Sequence, residues 1–137
     1  MNRIGMHLLV VALLAIGLGA CSTRLDPLLQ PSPQVLGSAN GSDTVREAIV
    51  TGATRGGWQV ISDEPGRLTL RLDVRGKHSG IVAADYDESG YRLGYVSSSN
   101  LLYEERNGKQ LIHRNYNRWI SNLIMSINRE AAVSQAT

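Results

Sequence analysis

From Arg67 to Arg75 polar and apolar residues alternate without a break, with Leu68, Leu70, Leu72 and Val74 standing between Arg67, Thr69, Arg71, Asp73 and Arg75. A period of two sends successive side chains to opposite faces of a strand, so this segment has one buried and one wet face. Shorter strand patterns occupy residues 58–62 (WQVIS), 78–86 (HSGIVAADY) and 91–97 (YRLGYVS). DEPG (63–66), Gly76-Lys77 and DESG (87–90) separate them with turn-forming residues. Connections this short predict antiparallel pairing, giving four strands in a meander. Two segments have helical period instead. Val45, Ala48, Ile49 and Ala53 fall on one side of a helix. Asp43 or Thr44 is placed to cap it, Thr44 and Glu47 have capping-box spacing, and Gly56-Gly57 ends it. Near the end of the chain Ile112, Tyr116, Trp119, Ile120, Leu123, Ile124 and Ile127 form one apolar stripe. Arg114, Asn117, Arg118, Asn122 and Asn128 form the opposite face of that helix. Residues 101–110 read as a loop with room for a short helix or extended piece, and the tail 131–137 as frayed. The predicted fold class is α+β: a two-layer sandwich in the order helix, four-stranded antiparallel meander, helix, with both helices on one sheet face.

The opening of the chain has a different pattern. Arg3 precedes an apolar run of 11 residues, Leu8–Leu18, followed by the small residues Gly19 and Ala20 and then Cys21. A bilayer-spanning helix needs roughly 20 apolar residues. The run is therefore too short for a permanent anchor and has the form of an export signal over residues 1–20. Leu18-Gly19-Ala20-Cys21 resembles the lipobox of bacterial lipoproteins. That resemblance implies cleavage before Cys21, a diacylglycerol on its sulfur and an acyl group on its new amino terminus. Two or more acyl chains hold a protein firmly where one binds marginally, at ~0.8 kcal/mol per buried CH₂. Ser22 stands where an aspartate would resemble an inner-membrane retention signal, so the expected location is the outer membrane, facing the periplasm. Cys21 is the chain's single cysteine, and with lipid on it no disulfide is available.

Residues 21–42 carry Pro27, Pro31 and Pro33, then Gly37, Ser38, Asn40, Gly41 and Ser42. They are expected to form a flexible tether, and twenty such residues reach roughly 25 Å. Leu25, Leu28, Leu29, Val35 and Leu36 are unusual in a spacer, and docking of some of them on the domain is the simplest account. The globular domain is expected over residues 43–130. Composition narrows the function classes. The chain has 137 residues, enough for one domain. Its formal net charge is +2, and removal of the segment containing Arg3 leaves it near neutral. A nucleic-acid binder would carry a clear basic excess. Phe is absent, so two Trp and five Tyr supply the aromatic packing.

The candidate chemistry is sparse. DYDESG (85–90) has the opening spacing of an EF-hand loop, but its twelfth position is Val96 where calcium needs a bidentate Glu. It reads as an acidic hairpin turn. His78 and His113 are the only histidines after the leader, and a zinc site needs three or four ligands, so neither metal nor cofactor is expected. GATRGG (52–57) lacks the G-K-[ST] of a phosphate loop. Ser97, Ser98 and Ser99 with His113 or His78 allow an alternative reading as an envelope hydrolase, but no G-x-S-x-G elbow presents a serine. Tyr116 and Trp119 suit the core better than carbohydrate stacking. The favoured function is a non-enzymatic binding or accessory module in the cell envelope. Its expected contact surface is the row Arg67, Arg71 and Arg75, with Arg92 joining according to register, set against an envelope protein or an anionic envelope component. Asp73 lies in the same row and weakens its field.

Overall fold

The computed structural model describes residues 24–37 and 41–137; the leader and Cys21 lie outside them. The alternating segment is strand β4 (Arg67–Val74), with Leu68, Leu70 and Leu72 buried. It pairs antiparallel with β3 (Gln59–Glu64) and β5 (His78–Tyr86), and β5 pairs with β6 (Gly90–Ser99). Inward residues Val82 and Ala84 of β5 and Tyr91 and Leu93 of β6 continue the buried face. A bulge at Val96 leaves that side chain 52% exposed. Helix α1 (Ser42–Arg55) and helix α2 (Arg114–Gln135) bring Val45, Ile49, Ala53, Tyr116, Ile120, Leu123 and Ile127 into the same cluster. The architecture is α+β with antiparallel sheets.

The helix ends follow from their sequences, with one shift. α1 starts two or three residues earlier than a cap at Asp43 or Thr44 would place it. Gly41 is the N-cap, in an extended conformation, and its carbonyl accepts from Thr44 and Val45; no side chain caps the helix. At the other end Gly57 has φ 83°, its N–H reaches the Thr54 carbonyl, and the Trp58 N–H reaches Ala53. That is the bond pair of a Schellman motif, and it places Trp58, 3% exposed, back on the core beside Ala53.

Three expectations need correction. The region 101–110 is not a loop throughout: β7 (Glu104–Arg106) and β8 (Lys109–His113) form a hairpin around Asn107-Gly108. Both turn residues have positive φ, 51° and 71°, as a type I′ turn requires. Ile112 consequently belongs to β8, and α2 begins after it. The tail is the second correction, since α2 runs on through Gln135 with Ala131 buried.

The tether is the third. Residues 24–37 lie along the domain. β1 (Leu25–Pro27) pairs with β8 and makes a three-stranded sheet, β1-β8-β7. β2 (Gln34–Val35) pairs with β6 and completes a five-stranded sheet, β2-β6-β5-β4-β3. Proline excludes an amide donor but not an edge position, and Pro27 sits on such an edge strand. Leu28 is buried at 9% exposure, and Leu29 and Leu36 pack against the core. Polar side chains of α2 fasten the segment. Asn117 donates to the Pro27 carbonyl at 2.8 Å and accepts from the Leu29 N–H at 2.9 Å. Asn128 donates to Gln34 Oε1 at 3.0 Å, and Gln135 donates to the Leu36 carbonyl at 2.6 Å.

Candidate functional site

Strand alternation and register decide what the outward face of the five-stranded sheet presents. Arg67 stands opposite Asp85, and Asp85 opposite Arg92. Thr69, Ala83 and Gly94 form the next row, and Arg71, Ile81 and Ser97 the one after. Small side chains thus occupy the middle of the face, with ion pairs around them. Arg67 Nε donates to Asp85 Oδ1 at 2.5 Å and its Nη2 to Oδ2 at 2.9 Å. The bond from Arg67, and after it the charge of Arg92, holds the Asp85 carboxyl below the usual carboxylate range. Arg71 forks onto the two oxygens of Asp73 at 2.9 and 3.0 Å. Each guanidinium on this face therefore has a carboxylate beside it, except that Arg92 shares the one held by Arg67. Such a face has little net field, although its dipoles are strongly ordered.

Arg75 does not join that row. β4 ends at Val74, and Arg75 turns with φ 56° into the β4–β5 connection. Its side chain lines a different place: a cleft of about 330 Å³ with Arg24, Val74, His78, Leu101, His113, Asn115 and Trp119. Sequence spacing keeps Arg75 in phase with Arg71, but a left-handed residue breaks the phase, and no pattern of polarity records that. The cleft itself is composed of residues that lie far apart in the chain. β1 pairing sets Leu25 opposite His113, and the Arg24 carbonyl accepts from the Arg114 N–H at 3.0 Å.

The histidines have structural partners. His113 is the N-cap of α2, and its Nδ1 accepts from the Asn115 N–H at 3.2 Å. Burial, then the charges of Arg24, Arg114 and His78, holds the His113 ring below the ordinary histidine range. His78 Nδ1 lies 2.9 Å from the Asn100 carbonyl. Ser98 Oγ is 2.9 Å from the Tyr95 hydroxyl, while Ser97 and Ser99 stand on the outward face opposite Ile81 and Ser79. Among the described residues no serine is hydrogen-bonded to either histidine, so the serine run and the histidines do not form the nucleophile–base pair that a hydrolase requires.

The DYDESG turn is explained locally. Asp87 Oδ1 accepts from the Ser89 hydroxyl at 2.6 Å, the Ser89 N–H at 2.8 Å and the Gly90 N–H at 3.2 Å, which holds its carboxyl below the usual range. Asp85 points to Arg67 instead. Among the described residues no three His, Cys, Asp or Glu side chains converge as a metal site.

Tyr116 is 1% exposed and Tyr91 3%, and burial raises both phenols above their ordinary range. Tyr91 still donates, to Asn128 Oδ1 at 2.8 Å. Tyr95 stacks on Tyr103 with ring centroids 4.8 Å apart and meets Tyr116 edge-on at 5.6 Å. These rings belong to the core and its rim. Trp119 differs, because it is partly buried and faces the cleft. No described helix is long and apolar enough to cross a membrane. Compared with protein-family models, with curated proteins and with solved structures, the chain matches none.

Proposed function

We propose that the chain is a lipoprotein of the bacterial cell envelope, acylated at Cys21 and held at the outer membrane facing the periplasm. Its domain is a non-enzymatic binding module for an envelope protein. In this reading the two helices form one layer against the buried face of the sheet, and the opposite face is the contact surface. The observation that carries the binding reading is that open face, with Thr69, Ala83 and Gly94 in its middle row, Ile81 and Ser97 in the next, and the pairs Arg67–Asp85 and Arg71–Asp73 around them. Compensated pairs of this kind suit a protein surface of mixed charge better than a polyanion, which would have to compete with Asp73 and Asp85 for each guanidinium.

Two measurements test it. Intact-mass analysis of the exported product should show a chain beginning at Cys21 with its acyl groups, and a free thiol there removes the anchor. Cross-linked partners recovered from the native envelope should be lost in an Arg71→Glu variant that melts like the parent. An unchanged partner set removes Arg71 and its face from the contact.

A further inference from the structure

The cleft at the β4–β5 end of the sheet gathers two arginines that have no ion pair. Arg46, Arg55, Arg67, Arg71 and Arg106 each have a carboxylate partner. Among the described residues neither Arg24 nor Arg75 has an ion pair, and both line this cleft together with His78 and His113. Asp26 is near enough to act on His113 but is not among the described residues lining the cleft. The result is a pair of guanidiniums, with two imidazoles beside them and no carboxylate among the lining residues.

Two apolar features border it. Trp119 forms part of the wall, and Leu102, next to the lining residue Leu101, is 57% exposed. Leu102 has φ 55° and Asn100 φ 56°. A left-handed leucine is a genuine outlier, and strain of this kind persists where the surroundings impose it, often at functional sites. An exposed Leu and a partly buried Trp beside unpaired guanidiniums are the composition of a surface that meets the interfacial region of a bilayer.

Position adds an independent argument. Arg24 is the first described residue of the chain and is fixed by the bond from Arg114 and the pairing of Leu25 with His113. Only three peptide units separate it from Cys21. Those span at most ~11 Å, against the roughly 25 Å of a free twenty-residue tether. An acyl group on Cys21 would therefore hold this end of the domain against the headgroups.

We propose that the cleft formed by Arg24, Arg75, His78 and His113 binds the phosphate of an anionic phospholipid headgroup, with Leu102 and Trp119 at the membrane interface. The domain then sits flush on the bilayer in one orientation and leaves the sheet's outward face free. The membrane as occupant rests on the acylation of Cys21 proposed above. Guanidiniums suit the role because they hold phosphate oxygens bidentately.

The test is hydrogen exchange on the full acylated chain in vesicles of phosphatidylcholine alone or with added phosphatidylglycerol. Amides over 74–79 and 100–103 should exchange about 25-fold more slowly when phosphatidylglycerol is present, about fivefold for each of the two arginines near an anionic surface. Arg75→Gln should lose about fivefold of that protection, and Arg24→Gln with Arg75→Gln should abolish it. Arg92→Gln, an equal charge change on the other face, should leave it intact. Equal protection in both vesicles, or protection that survives the double substitution, overturns the proposal. Failure of acylation is read separately by intact mass, and the Cys21→Ser chain mixed with the same vesicles still reports on the cleft.

Discussion

Gly52 lies in α1 where that helix crosses α2, and replacing it with alanine sets two effects of opposite sign against each other. In an isolated helix Gly→Ala is worth about 1 kcal/mol in favour of alanine. Here a Cβ at position 52 would stand 2.6 Å from Ile127 Cα, 2.7 Å from Ile127 N and 2.9 Å from the Ser126 carbonyl carbon. These are backbone atoms of α2, so no rotamer change relieves the overlap. Ordinary carbon contacts are about 3.5–4.0 Å, and the helices must part by about 1 Å. A gap of that size forfeits a quarter to a half of the dispersion energy across the interface formed by Val45, Ile49, Leu123 and Ile127. It also strains the 2.8 Å bond from Ser126 Oγ to the Gly52 carbonyl. Overpacking of this kind costs about 1–3 kcal/mol, and a lost hydrogen bond about 1 kcal/mol more. The loss exceeds the helix-propensity gain by roughly 2 kcal/mol, which lowers the melting temperature by about 10 °C in a domain near 100 residues. Thermal unfolding followed by circular dichroism measures it. Gly94→Ala is the control, because nothing lies within 4 Å of a Cβ there, and its effect should stay within about 0.5 kcal/mol. A Gly52→Ala protein that melts with the parent or above it refutes the claim that the two backbones touch at this point.

Other predictions concern the amino-terminal segment and His113. Leu28→Ala should destabilise the domain by about 2–4 kcal/mol in a denaturant titration, as for other buried leucines; a free tether predicts no change. Gly90→Ala should release β2 while leaving β3–β5 folded, since its Cβ would stand 1.9 Å from the Gln34 carbonyl oxygen; proteolysis between residues 30 and 37 should then accelerate, and an unchanged cleavage rate counts against this packing. The folded His113 ring titrates below its unfolded value because of burial and its neighbours Arg24, Arg114 and His78, with Asp26 acting in the opposite sense. As pH falls through about 6.5 the unfolded chain takes up the proton first, so stability is lost on acidification and is fully present at higher pH. Melting temperature should therefore drop between about pH 7.5 and pH 5.5, a window above the carboxylates, and His113→Asn should flatten that slope.

Several elements were legible because a short-range pattern carries them. The alternation in β4 and the stripe Tyr116, Ile120, Leu123, Ile127 state their period and their buried face directly. Gly56-Gly57 states the helix end. The β7–β8 hairpin had its own signal, since Asn107-Gly108 is the residue pair a type I′ turn requires, but its flanks EER and KQLIH do not alternate and the turn passes as loop. Nothing local marks Asn117, Asn128 and Gln135 as the clamps of a distant segment. On a helical wheel they are ordinary polar residues, and their partners lie 90, 94 and 99 positions away.

By itself the amino-acid sequence determined the antiparallel strand segments, the two helices, the inward face of β4 and of each helix and the α+β class, because these depend on period and turn residues within a few neighbouring positions. Only the tertiary structure decided that residues 24–37 are strapped to the domain, that Arg67 and Arg71 are neutralised by Asp85 and Asp73, and that Arg75 leaves them for a cleft with Arg24, His78 and His113. The physical reason is common to all three. Ion pairs, edge-strand pairing and clefts join residues whose separation in the chain is arbitrary, so their energies are set by register and packing that no local pattern contains.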